Sequence, residues 1–506
     1  MTALPVPQRL SSDPVLRPLD DRTLRVGGSF AADCVAAASD LSEKAFGLSI
    51  VLDASAADVL VIAEDDGGSP ADGVDPRPAD RAGASEAYWI APHEGRLRVI
   101  VSSAEGLFRA LLVIAASATD GLPALRVEDR PERSWRGLSL DVVRRWFSAG
   151  EVRRIIDLLA LHRMNVLHLH LTDTQAWRFA VPGYPSLAAT EHYDAAELSA
   201  LEDYARDRFV VIVPEIDVPG HVPESVTGLG DVTVETGAHP ILSYLDAGAP
   251  GVERFLSAAF GELASRFASP WLHLGGDEAF GAPEDVYVRT VAAAARLIRD
   301  LGRAPIGWQE AIRSGALGAD TGLAQLWIAD RDRFDAEKMK AQAPVEYHPM
   351  IERAGSLFAL SIQDPALIGA AGVGTIVSSS DPLYLDRRPL EASVDTGQED
   401  TRQRLGNPGY PPTPTTSVLD WQPETQRDIA EAGIHVAGIE AALWCESVES
   451  FDDAAFLLLP RLALIAQQAW GPANRETVLA AVRDHGDVWT RLGFGAHFRS
   501  SEIYDS

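Results

Sequence analysis

Short apolar runs alternate with longer amphipathic stretches along the chain from residue 135 onward. The short runs are typical of buried strands, and stretches with apolar residues every three or four positions are typical of helices. Alternation of this kind predicts a parallel sheet with helical connections. Eight strands are predicted, at residues 137–142, 166–171, 209–214, 271–275, 305–308, 323–328, 374–379 and 436–443. We therefore expect an α/β fold with a (β/α)8 TIM barrel, whose reactive side chains lie at the carboxyl ends of the strands.

The first 130 residues follow a different pattern, which carries no evident chemistry. The predicted elements here are two strands, a hairpin and a helix, at residues 48–52, 59–63, 86–101 and 104–117. The sequence thus predicts a small non-catalytic α/β domain over residues 1–130. A catalytic barrel with C-terminal helices is expected over residues 131–506.

Composition and charge narrow the range of partners. The chain has 506 residues, of which 46% are hydrophobic and 23% are charged, as is typical of a folded protein. Its formal net charge of −29 argues against nucleic acid or an anionic membrane as a partner, because basic surfaces bind those polyanions. The two cysteines, Cys34 and Cys445, form neither a disulfide framework nor a metal cluster. Without a basic start before an apolar run, and without 18 consecutive apolar residues, the chain is expected to be cytoplasmic.

The most informative stretch is WLHLGGDEAF, at residues 271–280. An apolar strand runs into Gly275 and Gly276 and then into two adjacent carboxylates, Asp277 and Glu278. Neighbouring side chains of a regular strand point to opposite faces, so the two acids can serve one site only if the chain bends, which glycine permits. Two carboxylates held close do not ionise equally easily, and this provides an acid and an anion for glycosidic bond cleavage. Adjacent acids are also common on solvated helix N-termini, where the dipole favours them.

Polar and aromatic residues follow the other predicted strands as well. They include Asp173, Glu215, His221, Trp308, Trp327, Tyr384, Asp386, Trp444 and Glu446. Aromatic faces pack on the apolar C–H faces of sugar rings, so this distribution predicts a sugar-binding cup.

Two alternatives use some of the same residues. His168 and His170 point to one face of a strand, where they would form half of the metal site of a barrel hydrolase, completed by Asp277 or His221. Their position in mid-strand, without a further cluster of histidines, favours buried, hydrogen-bonded core histidines. The second alternative is a catalytically inert sugar-binding homologue. Its expected mark is a replaced acid in the Asp277–Glu278 pair, and both acids are present.

Several ordered blocks of the sequence resemble the β-N-acetylhexosaminidases of glycoside hydrolase family 20. The blocks are WRGLSLDVVR at residues 135–144, LHLHLTD at 167–173, VPEIDVPGH at 213–221 and HLGGDE at 273–278, with weaker echoes at 307–310 and 443–446. The first 130 residues are similar to the non-catalytic N-terminal domain of that family, most clearly at residues 104–108. One departure is Val143-Arg144-Arg145, where the family often has Ser-Arg-His.

The resemblance implies an exo-acting, retaining glycoside hydrolase that releases terminal β-linked N-acetylglucosamine without a metal or an organic cofactor. Whether N-acetylgalactosamine is also released depends on how the pocket treats the 4-hydroxyl, and one sequence leaves this open. The implied nucleophile is the substrate's own acetamido oxygen, which forms an oxazolinium ion. Glu278 would be the acid and then the base, while Asp277 would orient the acetamido N–H and offset the developing positive charge.

The resemblance also implies the residues that bind the substrate. Tyr384 would hydrogen-bond the acetamido oxygen, and Asp173 and His221 would fix the environment of the acid. The residues expected to hold sugar hydroxyls or to line the pocket are Arg136, Asp386, Glu446, Trp308, Trp327, Trp421 and Trp444.

Overall fold

The computed structural model describes residues 1–28, 32–63, 84–118, 121–230, 232, 234–235, 240–328 and 334–505. Seven strands form the N-terminal sheet, in the order β1-β7-β5-β6-β4-β2-β3. They are β1 (Arg9–Arg17), β2 (Thr23–Gly28), β3 (Ser49–Leu52), β4 (Val59–Ala63), β5 (Tyr88–His93), β6 (Arg96–Val101) and β7 (Leu122–Asp129). Two helices pack on this sheet, α1 (Ala32–Phe46) and α2 (Ala104–Ser117). The helix α2 begins at the predicted cap, where the Ser103 side chain accepts a hydrogen bond from Gly106 N.

Eight parallel strands close into a barrel, so the predicted (β/α)8 fold is confirmed. They are β8 (Trp135–Asp141), β9 (Val166–His170), β10 (Val211–Glu215), β11 (Trp271–His273), β12 (Ala304–Trp308), β13 (Leu323–Leu326), β14 (Gly374–Val377) and β15 (Val436–Leu443). Their order around the barrel is β10-β11-β12-β13-β14-β15-β8-β9. Each predicted strand corresponds to one of these elements, with ends that differ by a few residues.

Helices of six or more residues follow most of the barrel strands. They are α3 (Ala149–Leu161), α4 (Ala195–Arg206), α5 (Pro250–Arg266), α6 (Glu284–Asp300), α7 (Ala336–Gln342), α8 (His348–Ser361), α9 (Asp364–Ala371), α10 (Glu399–Arg404), α11 (Arg427–Ala432), α12 (Phe451–Leu458), α13 (Arg461–Trp470), α14 (Arg475–Asp484) and α15 (Gly486–Arg491). Capping boxes start α3 and α4, in which Ser148 pairs with Glu151 and Asp194 pairs with Glu197. Among the described helices, we find none with the length and apolar character that a membrane span requires.

The barrel interior changes from apolar to charged along its axis. Apolar side chains fill the amino-terminal end, where Trp135, Val166 and Ile306 belong to one buried cluster. Further along, buried charged groups replace them, beginning with Glu440, which accepts a hydrogen bond from Trp135 Nε1 at 2.7 Å. Because barrel interiors are otherwise filled by branched apolar residues, this polar layer marks the end of the barrel that carries chemistry.

Candidate active site

The two adjacent acids lie on a glycine turn just beyond β11, as the sequence predicts. Gly275 and Gly276 have φ values of 71° and 104°, and Glu278 itself has a φ of 44°. A Cβ atom added at Gly275 would overlap the carboxylate of Asp217 and lie 2.5 Å from Asp217 Cα. The turn therefore requires glycine for two reasons, namely its left-handed backbone and the close approach of Asp217.

Asp217 and Asp277 form a buried acid pair beside this turn. Asp217 Oδ1 accepts a hydrogen bond from Gly276 N at 2.9 Å. A carboxylate oxygen of Asp217, one of Asp277 and a ring nitrogen of His221 all lie within 4.8 Å of one another. Burial and then the charge of Asp217 raise the pKa of Asp277 well above its usual value. Burial also raises the pKa of Asp217, to about 6. Two close acids share a proton in this way, which leaves one negative charge on the pair.

Glu278 retains its proton to nearly neutral pH. Burial and then the charge of Asp277 raise its pKa to about 7, against the opposing effect of His221 and Arg144. A carboxyl group with this pKa can donate a proton and then accept one near pH 7, as general acid–base catalysis requires.

A chain of charged groups supports the two acids from the side of β8 and β9. Arg144 Nη2 lies 2.6 Å from Asp173 Oδ2, and His221 Nδ1 lies 3.1 Å from the same oxygen. Although burial favours the neutral acid, His221 and Arg144 hold the pKa of Asp173 well below its usual value. Asp173 and Asp217 similarly outweigh burial and raise the pKa of His221. The predicted Asp173–His221 pair is thus present, and its imidazolium faces the two acids.

Four aromatic residues form a box beside the acids. The rings of Trp327 and Tyr384 are stacked, with centroids 6.4 Å apart and planes 5° apart. Trp444 lies 6.0 Å from Tyr384 and 5.9 Å from Trp308, again between centroids. The structure therefore brings together Trp308, Trp327, Tyr384 and Trp444, as predicted, in one cluster at the carboxyl ends of the strands.

Carboxylates hold the indole rings of this box in place. Trp308 Nε1 donates to Glu215 Oε1 at 2.9 Å, and Trp327 Nε1 donates to Glu310 Oε2 at 3.1 Å. These bonds fix the planes of two walls of the box before any ligand arrives.

Asp386 and Glu446 complete the rim on the far side of the box. Burial and then the charge of Glu446 raise the pKa of Asp386 to about 8. Neither carboxylate oxygen of Asp386 has a hydrogen-bond partner within the described part of the chain. Since buried polar groups are normally hydrogen-bonded, these oxygens are available to a ligand.

The prediction that Arg136 binds sugar is wrong. Arg136 is the second residue of β8 and lies at the amino-terminal end of the barrel, about 17 Å along the strand from Asp141. Its side chain is buried against the N-terminal domain, where Nη2 is 2.5 Å from Glu86 Oε2 and Nε donates to Arg163 O at 2.9 Å. The arginine that reaches the site is Arg144, which follows the carboxyl end of the same strand.

The structure also places Trp421 away from the aromatic box. Its ring packs against the main core, and its carbonyl accepts a hydrogen bond from Gln468 Nε2 of α13 at 2.6 Å. The loop that precedes Trp421 instead brings Tyr410 to the box, where its ring centroid is 6.0 Å from that of Tyr384. A proline-rich loop gives no period from which this exchange could be predicted.

His168 and His170, the proposed metal ligands, are bound to carboxylates instead. His168 lies 2.9 Å from Glu440 and 3.1 Å from Glu215 through its two ring nitrogens. His170 lies 2.5 Å from Glu215 and 3.0 Å from Asp173 in the same way. These carboxylates outweigh burial and raise the pKa of both histidines, that of His168 to about 9. Both ring nitrogens of each histidine thus face carboxylates, which is the arrangement expected of hydrogen-bonded core histidines.

An acid with a pKa near 7, a second carboxylate and an aromatic cup together equip a glycoside hydrolase. The comparisons with known proteins agree with this class. The sequence matches the catalytic domain of glycosyl hydrolase family 20 over residues 134–287 and 363–473. A beta-N-acetylhexosaminidase of Cellulomonas fimi is 33% identical over 445 residues, which cover 83% of this chain and 81% of that protein. A beta-hexosaminidase of Akkermansia muciniphila is 28% identical over 383 residues, which cover 71% and 72% of the two chains.

A solved structure gives the same result for the fold. A mutant beta-hexosaminidase of Streptomyces plicatus, in complex with the product GlcNAc, aligns with a TM-score of 0.78 at 24% identity. The alignment covers 99% of this chain and 97% of that one. The chain belongs to glycoside hydrolase family 20. The family and the class of enzyme, a glycosidase of the β-N-acetylhexosaminidase type, are therefore confirmed.

Besides Tyr410, three residues of the site were given no role from the sequence, namely Arg144, Asp217 and Glu310. Arg144 and Asp217 each lie within one of the recognised blocks, two or three residues beyond a strand end. Counting from the carboxyl end of each strand would have selected both, since barrel sites are built from the residues that follow the strands. Glu310 follows Trp308 by two residues, and only the fold shows that it holds Trp327.

Proposed function

We propose that this protein is an exo-acting, retaining β-N-acetylhexosaminidase that releases terminal β-linked N-acetylglucosamine by substrate-assisted catalysis. The observation that carries the proposal is the pairing of Asp277 and Glu278 on one glycine turn, with opposite roles imposed by their surroundings. Glu278 retains a proton near pH 7, whereas Asp277 and Asp217 share one proton and carry one negative charge between them. The named relatives are β-hexosaminidases, which supports the same substrate class.

The first step uses the acid form of Glu278. Glu278 donates its proton to the glycosidic oxygen, the C1–O bond breaks, and the acetamido oxygen of the same sugar attacks C1 to form an oxazolinium ion. The Asp277–Asp217 pair accepts a hydrogen bond from the acetamido N–H and offsets the positive charge that develops there. Tyr384 donates its hydroxyl to the acetamido oxygen and holds it against C1, which makes the attack intramolecular.

In the second step Glu278 acts as a base. Its carboxylate takes a proton from water, the resulting hydroxide attacks C1, and the C1–O bond of the oxazolinium ring breaks. Two displacements at C1 retain the β configuration. The Asp173–His221 pair fixes the charges around the acid throughout, which makes these two residues positioning residues.

The remaining polar groups of the rim bind the sugar hydroxyls. Asp386 has unpartnered oxygens among the described residues, and Glu446 is half-exposed and lies 3.9 Å from Arg144 Nη2. We assign Asp386, Glu446 and Arg144 to the sugar hydroxyls, with Arg144 taking the role expected of Arg136. The aromatic box would then pack on the apolar face of the ring. The cytoplasmic location stays a prediction.

The experiment is hydrolysis of a chromogenic β-N-acetylglucosaminide and the matching β-glucoside, each with and without chelator. Cleavage of the first sugar alone, unaffected by chelator, would support the proposal. Loss of activity with chelator and its return with a divalent ion would instead support the metal-dependent hydrolase. Failure to cleave either sugar would contradict the proposal.

A further inference from the structure

A cavity of about 70 Å³, open at its mouth, adjoins the acid. Its wall begins at Gly276 and Glu278, passes over Phe280, and ends on Leu357 and Leu360 of helix α8. In the proposed mechanism Glu278 protonates the leaving group, so a cavity lined by this acid lies where the leaving group departs.

The aromatic box and the cavity share a wall. Phe358 of α8 lies 5.9 Å from Trp327 in an edge-to-face arrangement and 6.3 Å from Phe280, between ring centroids. Phe358 also lines the cavity and packs against the aromatic cluster. The aglycone of a substrate whose sugar occupies the box would therefore contact Phe358 where it extends out of the box.

Several polar side chains of the cavity wall are already bonded within the protein. Arg313 donates to Asp364 and Ser361 at 2.5–2.7 Å, and Tyr287 donates to Gly276 O at 2.7 Å. Glu310 accepts from Trp327. Apart from the acid Glu278 and the exposed Glu284, the wall that remains for a ligand is apolar, whereas a second sugar would need several hydrogen-bond partners for its hydroxyls.

Helix α8 and its flanks also expose more apolar surface than other described parts of the chain. Half of the exposed large apolar residues lie between residues 339 and 367, namely Met339, Val345, Tyr347, Leu360, Ile362 and Leu367. The whole of α8 falls in the interval between the two segments that match the family. Exposed apolar surface of this kind commonly marks a binding site.

We propose that the cavity between Glu278 and helix α8 is the leaving-group subsite and that it binds an apolar aglycone, such as an alkyl or aryl group. This inference rests on the proposed function, because it takes Glu278 as the acid. It assigns Phe280, Leu357, Phe358 and Leu360 as the residues that contact the aglycone.

The test is kcat/KM for methyl, butyl and hexyl β-N-acetylglucosaminides and for chitobiose. The alkoxide leaving groups of the series differ little in basicity, so a change in rate reports binding of the chain. Full burial of a methylene raises kcat/KM about fourfold, and in this half-open cavity we expect about twofold per methylene. The methyl glycoside does not reach the cavity wall and reports the sugar site alone.

Two variants and a matched control locate the effect. Leu360→Ser and Phe358→Ala should flatten the rise from methyl to hexyl. Ile362→Ser is the control, because Ile362 is 60% exposed and lies just beyond α8 and outside the cavity. This variant should keep the rise from methyl to hexyl. Leu360 is 40% exposed and has no contact with the box, so its variant remains informative if Phe358→Ala disturbs Trp327.

The outcomes separate the two proposals. A flat alkyl series with normal cleavage of the methyl glycoside would overturn the apolar subsite and leave the enzyme assignment intact. Faster cleavage of chitobiose than of the hexyl glycoside, with no rise along the series, would overturn it in favour of a sugar in this cavity. No cleavage of any N-acetylglucosaminide would overturn both proposals.

Discussion

Substitution of Gly275 by alanine should abolish most activity while leaving the protein folded. The added Cβ would overlap the Asp217 carboxylate and come within 2.5 Å of Asp217 Cα, so the backbone of Asp217 must move and cannot relieve the contact by rotation alone. That shift separates Asp217 from Gly276 N and from Asp277, which loses the partner that shares its proton.

The expected loss follows from the size of the displacement. Shifts of about 1 Å in a catalytic group cost about 100-fold in rate, so we expect kcat to fall by about 100-fold or more. Alanine in a left-handed conformation itself costs about 1–2 kcal/mol of unfolding free energy, and the steric overlap adds to this.

Gly433→Ala is the matched control for backbone strain. Gly433 has a φ of 64°, close to the 71° of Gly275, but an added Cβ would have no described atom within 4 Å. It should lose about 1–2 kcal/mol of stability and retain wild-type activity. The assay is kcat on a chromogenic β-N-acetylglucosaminide, with unfolding by urea measured on the same samples. Activity of Gly275→Ala within threefold of wild type would refute the reasoning about Asp217.

Four further predictions concern single groups. With alkyl β-N-acetylglucosaminides, kcat/KM should fall tenfold per pH unit above about pH 7, because Glu278 must be protonated and its pKa is about 7; a fall that begins near pH 5 would contradict this. Glu278→Gln should lose 100-fold or more in kcat on these poor leaving groups, because general acid catalysis contributes about that much. The loss should be much smaller on an activated aryl glycoside, and inhibition by N-acetylglucosamine should be unchanged. Asp386→Ala should reduce kcat/KM about tenfold by loss of its hydrogen bonds to the sugar hydroxyls, and an effect below threefold would remove Asp386 from the site. Glu86→Ala should destabilise the protein by about 3–5 kcal/mol, because Arg136 stays buried without its carboxylate, while the folded fraction keeps its activity. The measurement is chemical denaturation, and a loss of less than about 1 kcal/mol would contradict the prediction.

The barrel could be predicted from the sequence because its strands are short, apolar and separated by helical periods. The N-terminal strands β1, β2 and β7 were missed, since their apolar residues are mixed with charges, as in RLSSDPVLR of β1. A strand buried on one face only has a weaker hydrophobic pattern than a barrel strand buried on both.

The site could be predicted only as far as the local blocks define it. Arg136 and Arg144 lie in the same block, one at the start of the strand and one after its end, and only the rule that barrel sites follow the strands selects Arg144. Trp421 and Tyr410 lie in a loop without regular structure, so the path of that loop decides which ring reaches the box. The two acids could be selected from the local sequence alone. The assignments that failed, Arg136 and Trp421, depended on which part of a strand or loop faces the site.

The most direct test of the mechanism is the effect of fluorine in the acetamido group of the substrate. Aryl β-N-acetylglucosaminides with zero to three fluorine atoms on the acetyl methyl group differ mainly in the nucleophilicity of the carbonyl oxygen. If that oxygen attacks C1, kcat/KM must fall steeply with each fluorine, because the attack is part of the rate-determining barrier. A rate that does not change across the series would show that the acetamido oxygen is not the nucleophile and would contradict the account.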